Sequence, residues 1–77
     1  MPMSYYHSDI KIHYQTLITR GFECICDGSI RKAFITKSNI ELLLRLLAHK
    51  NKTEEVITME INLLQMKESL TLLINSP

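Results

Sequence analysis

Residues 53–74 read TEEVITMEINLLQMKESLTLLI, and their apolar positions follow a helical period. Val56, Met59, Leu63, Met66, Leu70 and Leu73 recur in steps of three and four. That is three heptads of an a/d seam, the spacing with which one helix buries a stripe against another. Ile57, Ile61 and Leu64 form a second apolar stripe beside it. Two stripes predict two neighbours, a helix of the same chain and a helix of a partner. A helix facing the core of a monomer has the same spacing. Glu54 and Glu55 complement the helix dipole in the first turn, and Asn51 or Thr53 can cap it.

The preceding segment supplies the first neighbour. Ser38-Asn39-Ile40-Glu41 has the form of a capping box, with Ser at the cap and Glu three residues on. Behind it Ile40, Leu43, Leu44 and Leu47 fall on one helical face, and Glu41 and Arg45 stand four apart in the favourable order. This pattern predicts a helix over about 39–50, with Asn51-Lys52-Thr53 as the turn. Towards the N-terminus, Ile10, Tyr14, Leu17, Ile18, Phe22 and Ile25 also keep a helical period. They predict a helix over about 9–27, capped by Ser8 or Asp9. Ile10, Ile12 and Tyr14 alternate as well, so a short strand is the rival reading there. Gly21 sits inside this helix at a cost of about 1 kcal/mol. Asp27-Gly28 reads as a stop or a kink, past which Ile30, Ala33 and Phe34 could resume the same face.

The expected fold is therefore all-α. It has two to three helices: a hairpin of about 39–50 and 53–74, and an N-terminal helix of about 9–27. Residues 9–77 make one domain behind a mobile tail at 1–8. The expected assembly is a homodimer with coiled-coil-like packing, its core and dimer interface built from Ile40, Leu43, Leu47, Val56, Met59, Leu63, Met66, Leu70 and Leu73.

Composition supports this. Hydrophobic residues are 45% of the 77, with only two Gly and two Pro, which favours helices over a turn-rich β fold. A chain this short buries only about 60% of its unfolded surface, and apolar residues beyond its core tend to reach a subunit interface. The N-terminus lacks the basic and apolar runs of a signal peptide. Apolar runs such as Leu42–Leu44 are far too short to cross a membrane. The expected location is the cytoplasm.

Charge is uneven although the formal net charge is only +1. Residues 31–52 carry Arg31, Lys32, Lys37, Arg45, Lys50 and Lys52 against the single acid Glu41. Residues 53–77 carry Glu54, Glu55, Glu60 and Glu68 against Lys67. The six cations are a candidate patch for a protein partner or nucleic acid, and a solvated charged face has the same composition. The second helix is too apolar, and the third too acidic, to read base edges. Any nucleic-acid contact is therefore expected to be with phosphates and not sequence-specific.

The residues offer little chemistry. Cys24 and Cys26 are two apart, which suits neither a structural disulfide nor a shared zinc ion. They are expected to be buried apolar thiols, and His7, His13 and His49 complete no ligand set. No glycine-rich phosphate loop, nucleophile elbow or carboxylate pair is present. No enzyme activity, cofactor, metal or small-molecule substrate is expected, and no membrane binding.

The order of features resembles a known group. Tyr5-Tyr6, Gly21, Lys37, Ile40, Leu43 and Leu47 keep the spacing of the YmgB/AriR family of small bacterial biofilm-development and acid-resistance regulators, over about residues 5–65. The sequence departs from that pattern at Cys24-Ile25-Cys26-Asp27-Gly28, where the family's first helix is smoother and more apolar. The resemblance implies a helical homodimer in the cytoplasm. It further implies a connector that modulates a signalling response regulator, or gene expression, in biofilm and acid stress. Two alternatives from other classes are a DNA-associated transcription modulator and a small helical chaperone or secretion-apparatus partner.

Overall fold

A computed structural model describes the backbone of residues 5–76 and the side chains of residues 9–76. Three helices follow one another: α1 (Tyr5–Asp27), α2 (Ile30–Ala48) and α3 (Glu54–Ile74). Each packs against both others, in a bundle with principal extents of 45 × 22 × 15 Å. No strand occurs among the described residues, so the alternation at Ile10, Ile12 and Tyr14 is absorbed into α1.

α1 starts a turn earlier than its apolar pattern suggests. Tyr5, Tyr6, His7 and Ser8 are helical rather than tail, and Ser8 and Asp9 lie inside the helix instead of capping it. Neither Gly nor Pro interrupts the segment from Met3 to Arg20, so nothing stops the helix short. The remainder of the expected tail, residues 1–4, lies outside the described residues.

The join between α1 and α2 takes two residues. Gly28 adopts φ +67°, a left-handed conformation that a side chain disfavours. The amides of Gly28 and Ser29 both donate to the Cys24 carbonyl, at 2.8 and 3.2 Å, and satisfy an orphan acceptor of the helix end. Ser29 then caps α2, its hydroxyl accepting from the Lys32 amide at 3.3 Å. The expected start near residue 39 is thus corrected to Ile30. Ser38 and Glu41 have the spacing of a capping box but lie mid-helix, where the amides they would serve are already engaged. The true apolar stripe runs Ala33, Thr36, Ile40, Leu43 and Leu47, and all five are buried. Thr36 interrupts its apolar character, and the buried hydroxyl is accommodated by Cys24 Sγ 3.6 Å away.

The second turn closes on three devices. The Lys50 amide donates to the Leu47 carbonyl at 3.0 Å. Thr53, rather than Asn51, caps α3 by accepting from the Val56 amide at 3.2 Å. Lys52 Nζ donates to the Leu47 carbonyl at 3.2 Å and to Glu60 Oε2 at 2.6 Å. The lysine thereby ties the C-terminus of α2, where a cation is favoured, to α3.

The core lies where the three stripes meet. Leu17 and Cys24 come from α1; Ala33, Ile40, Leu43 and Leu47 from α2; Met59, Leu63, Met66 and Leu70 from α3. Ile10, Tyr14, Ile18, Leu44, Val56 and Leu73 pack around them. α1 approaches α3 closely at Gly21, which is buried against Met66. Tyr14 accepts a 2.7 Å hydrogen bond from Asn62 Nδ2 across the same contact.

Candidate protein-interaction surface

The nine residues expected to serve both core and dimer interface are used within one chain. Ile40, Leu43, Leu47, Met59, Leu63, Met66 and Leu70 are buried, and Val56 and Leu73 are half-buried against them. The a/d seam of α3 therefore faces α1 and α2. Ile57, Ile61 and Leu64 do not lie beside this seam but opposite it. Each stands two residues from a core position, and two residues on a helix are about 200° apart. These three side chains are exposed, as is Leu72 further along the same line.

α2 repeats the arrangement. Offset by two from the buried Ala33, Ile40 and Leu47 are Ile35, Leu42 and His49, all exposed. Ile35 and Leu42 retain 58% and 59% of their full accessibility and stand seven residues apart on one line of the helix. Phe22 and Ile25, which the helical period assigned to the core face of α1, are exposed too. They edge a groove of about 400 Å³ between α1 and α3, floored by Tyr14, Ile18 and Met66. The sequence pattern marks Ile57, Ile61 and Leu64 as a second stripe but not Ile35 and Leu42, and it places Phe22 and Ile25 in the core, because periodicity finds apolar positions and not the number of helices available to cover them.

The six cations do not gather into one patch. Lys32 pairs with Asp27 at 3.9 Å, and Lys52 with Glu60. Lys37 is half-buried, and Lys50 lines a groove with Ile10 and His13 on α1. Arg31 and Arg45 are exposed on the outer face of α2, 14 residues or about 21 Å apart. Arg45 makes no ion pair with Glu41, because Glu41 reaches across to Lys67 of α3 at 3.3 Å. A third helix-to-helix pair, Lys11 with Glu55 at 3.8 Å, joins α1 to α3.

The sites tested for chemistry are dispersed. Cys24 is buried as expected, but Cys26 is exposed, since two residues cannot share a helix face. Among the described residues no group of three His, Cys, Asp or Glu is placed to hold a metal ion. Asp9 and His13 share a groove with Ile10, Leu46 and Lys50, a lining that holds no hydroxyl or thiol nucleophile. His49 closes the end of α2. Among the described residues no helix is long and apolar enough to cross a membrane.

Fold and surface together define a class: a three-helix bundle with a closed core and further apolar stripes on the outside of its helices. Compared with protein-family models, curated proteins and solved structures, the chain matches none.

Proposed function

We propose that this chain is a small, non-enzymatic regulatory connector that acts in the cytoplasm by protein–protein contact, beginning with a second copy of itself. The observation that carries the reading is the excess of exposed apolar surface. Twelve large apolar side chains are exposed among the described residues, although the core of the same chain is complete. On α2 and α3 they stand in line at helical spacing, the form in which one helix offers a stripe to another. Such stripes favour association over a solitary monomer.

The resemblance to the YmgB/AriR regulators points in the same direction. Of its spacing residues, Gly21, Ile40, Leu43 and Leu47 are interior here and Lys37 is half-buried, so these four serve a fold that such a regulator would share. On that reading the further partner is a signalling response regulator, or a component of gene expression in biofilm and acid stress. Direct DNA binding has less support, because Lys32 and Lys52 are held in ion pairs and Arg31, Lys37 and Arg45 are spread along α2.

The test is the solution mass of the full chain by light scattering on a sizing column over a concentration series, followed by capture of a partner with the immobilised chain. Self-association at micromolar concentration supports the proposal. A monomer throughout the series removes its first element.

A further inference from the structure

We propose that copies of this chain associate head to tail, the outer face of α2 in one copy seating on the outer face of α3 in the next. The inference rests on the self-association reading above and specifies its surfaces.

Intrachain ion pairs are satisfied first. Asp27 with Lys32, Glu41 with Lys67, Lys52 with Glu60 and Lys11 with Glu55 take up eight of the 17 charged side chains. What is left on the outward line of α2 is basic: Arg31 and Arg45, exposed and in no salt bridge among the described residues. What is left on the outward line of α3 is acidic: Glu54 and Glu68, likewise exposed and in no salt bridge among the described residues. Each pair is 14 residues apart, which is about 21 Å on a helix and close to four whole turns. The charges of each pair therefore sit on one line.

Between the two arginines stand Ile35 and Leu42, and between the two glutamates stand Ile57, Ile61 and Leu64, all exposed. Each helix thus presents an apolar strip bracketed by two like charges, with equal spacing and opposite sign. Two α2 faces would bring arginine to arginine, and two α3 faces glutamate to glutamate. An α2 face on an α3 face brings opposite charges together at both ends while covering both strips, in either helix direction.

The contact is heterologous. The two faces lie on the outsides of different helices of one bundle and point in different directions, so two copies cannot satisfy both contacts at once. Each copy keeps one free face of each kind, and assembly continues to a closed ring or an open chain.

The experiment uses the full-length chain and two single variants, Leu42→Asp on α2 and Ile61→Asp on α3. Both positions are exposed, and unchanged far-ultraviolet circular dichroism confirms folding. The wild-type mass is expected to rise beyond two copies with concentration and to fall with added salt. Each variant alone is expected to be monomeric. Their equimolar mixture is expected to form a 1:1 dimer and nothing larger, because each supplies the face that the other lacks. A charge-swapped chain carrying Arg31→Glu, Arg45→Glu, Glu54→Arg and Glu68→Arg is expected to self-associate again, whereas either pair of reversals alone abolishes it.

A mixture that stays monomeric, or self-association lost in only one of the two single variants, overturns the head-to-tail contact and leaves self-association through another face standing. A wild-type chain that is monomeric throughout overturns both.

Discussion

A first side-chain carbon placed on Gly21 would lie 2.7 Å from Cγ of Met66, and closer still to its sulfur. The glycine that weakens α1 by its conformational freedom is thus a point at which α3 comes close through Met66. Helix propensity and packing oppose each other at this position, and their magnitudes decide which wins. Alanine would gain the helix about 1 kcal/mol. Overpacking a well-filled contact costs about 1–3 kcal/mol. Met66 is flexible at its end but not at Cγ, so only part of the clash relaxes.

Gly21→Ala is accordingly expected to lower stability by about 1 kcal/mol, measured by urea unfolding. Met66→Ala alone should cost about 2–4 kcal/mol as a large-to-small core change. Combined with Met66→Ala, the Gly21→Ala change should turn stabilising, because the obstruction is gone and only the propensity gain remains. Additive effects in the double variant would show that the two residues do not meet.

Leu63 and Leu64 are neighbours in sequence and opposite in fate. Leu63 is fully buried, while Leu64 is 49% exposed. Leu63→Asp places a charge in the core and should abolish the helical signal altogether. Leu64→Asp should leave circular dichroism unchanged and alter only the solution mass. Equal loss of helicity in both would contradict the assignment of α3's faces.

The start of α2 can be tested with two serines. Ser29→Ala removes the hydroxyl that caps the helix and should cost about 1 kcal/mol. Ser38→Ala falls mid-helix on an exposed site and should be neutral or slightly stabilising, since alanine is the better helix former. The opposite ranking in thermal or urea unfolding would return the helix start to residue 38.

Lys52 tests the closure of the second turn. Its ammonium bonds both the Leu47 carbonyl and Glu60. Lys52→Met keeps the aliphatic stem and removes both bonds. The pair is partly exposed, so the expected loss is modest, about 1 kcal/mol, and should shrink as salt is added. A loss that does not change with salt would mean that the stem, not the charge, stabilises the turn.

These tests also mark what was legible in the sequence. The a/d line of α3 and the Ile40, Leu43, Leu47 face of α2 were readable because apolar side chains at steps of three and four admit few alternatives. Gly28 was readable as a break because few other residues tolerate a positive φ. The first turns of α2 were hidden by Thr36, a polar residue on the buried line, and by a Ser-x-x-Glu spacing that helix interiors share with caps. The early start of α1 was hidden because its first turn lies outside the apolar pattern that marked the helix. The candidate surface was less legible still. Ile57, Ile61 and Leu64 stood out as a stripe, yet only the packed bundle places them opposite the core rather than beside it. The basic segment was visible, but its partition between intrachain pairs and free arginines depends on where Asp27 and Glu60 fall in three dimensions.

The central claim is that the apolar faces outside the core bring this chain together with itself. The most direct measurement is the molar mass of the purified chain by light scattering over a concentration series. The account predicts a mass above that of one chain, rising with concentration and lowered by Leu42→Asp or Ile61→Asp without loss of helicity. A constant mass of one chain at every concentration would contradict it.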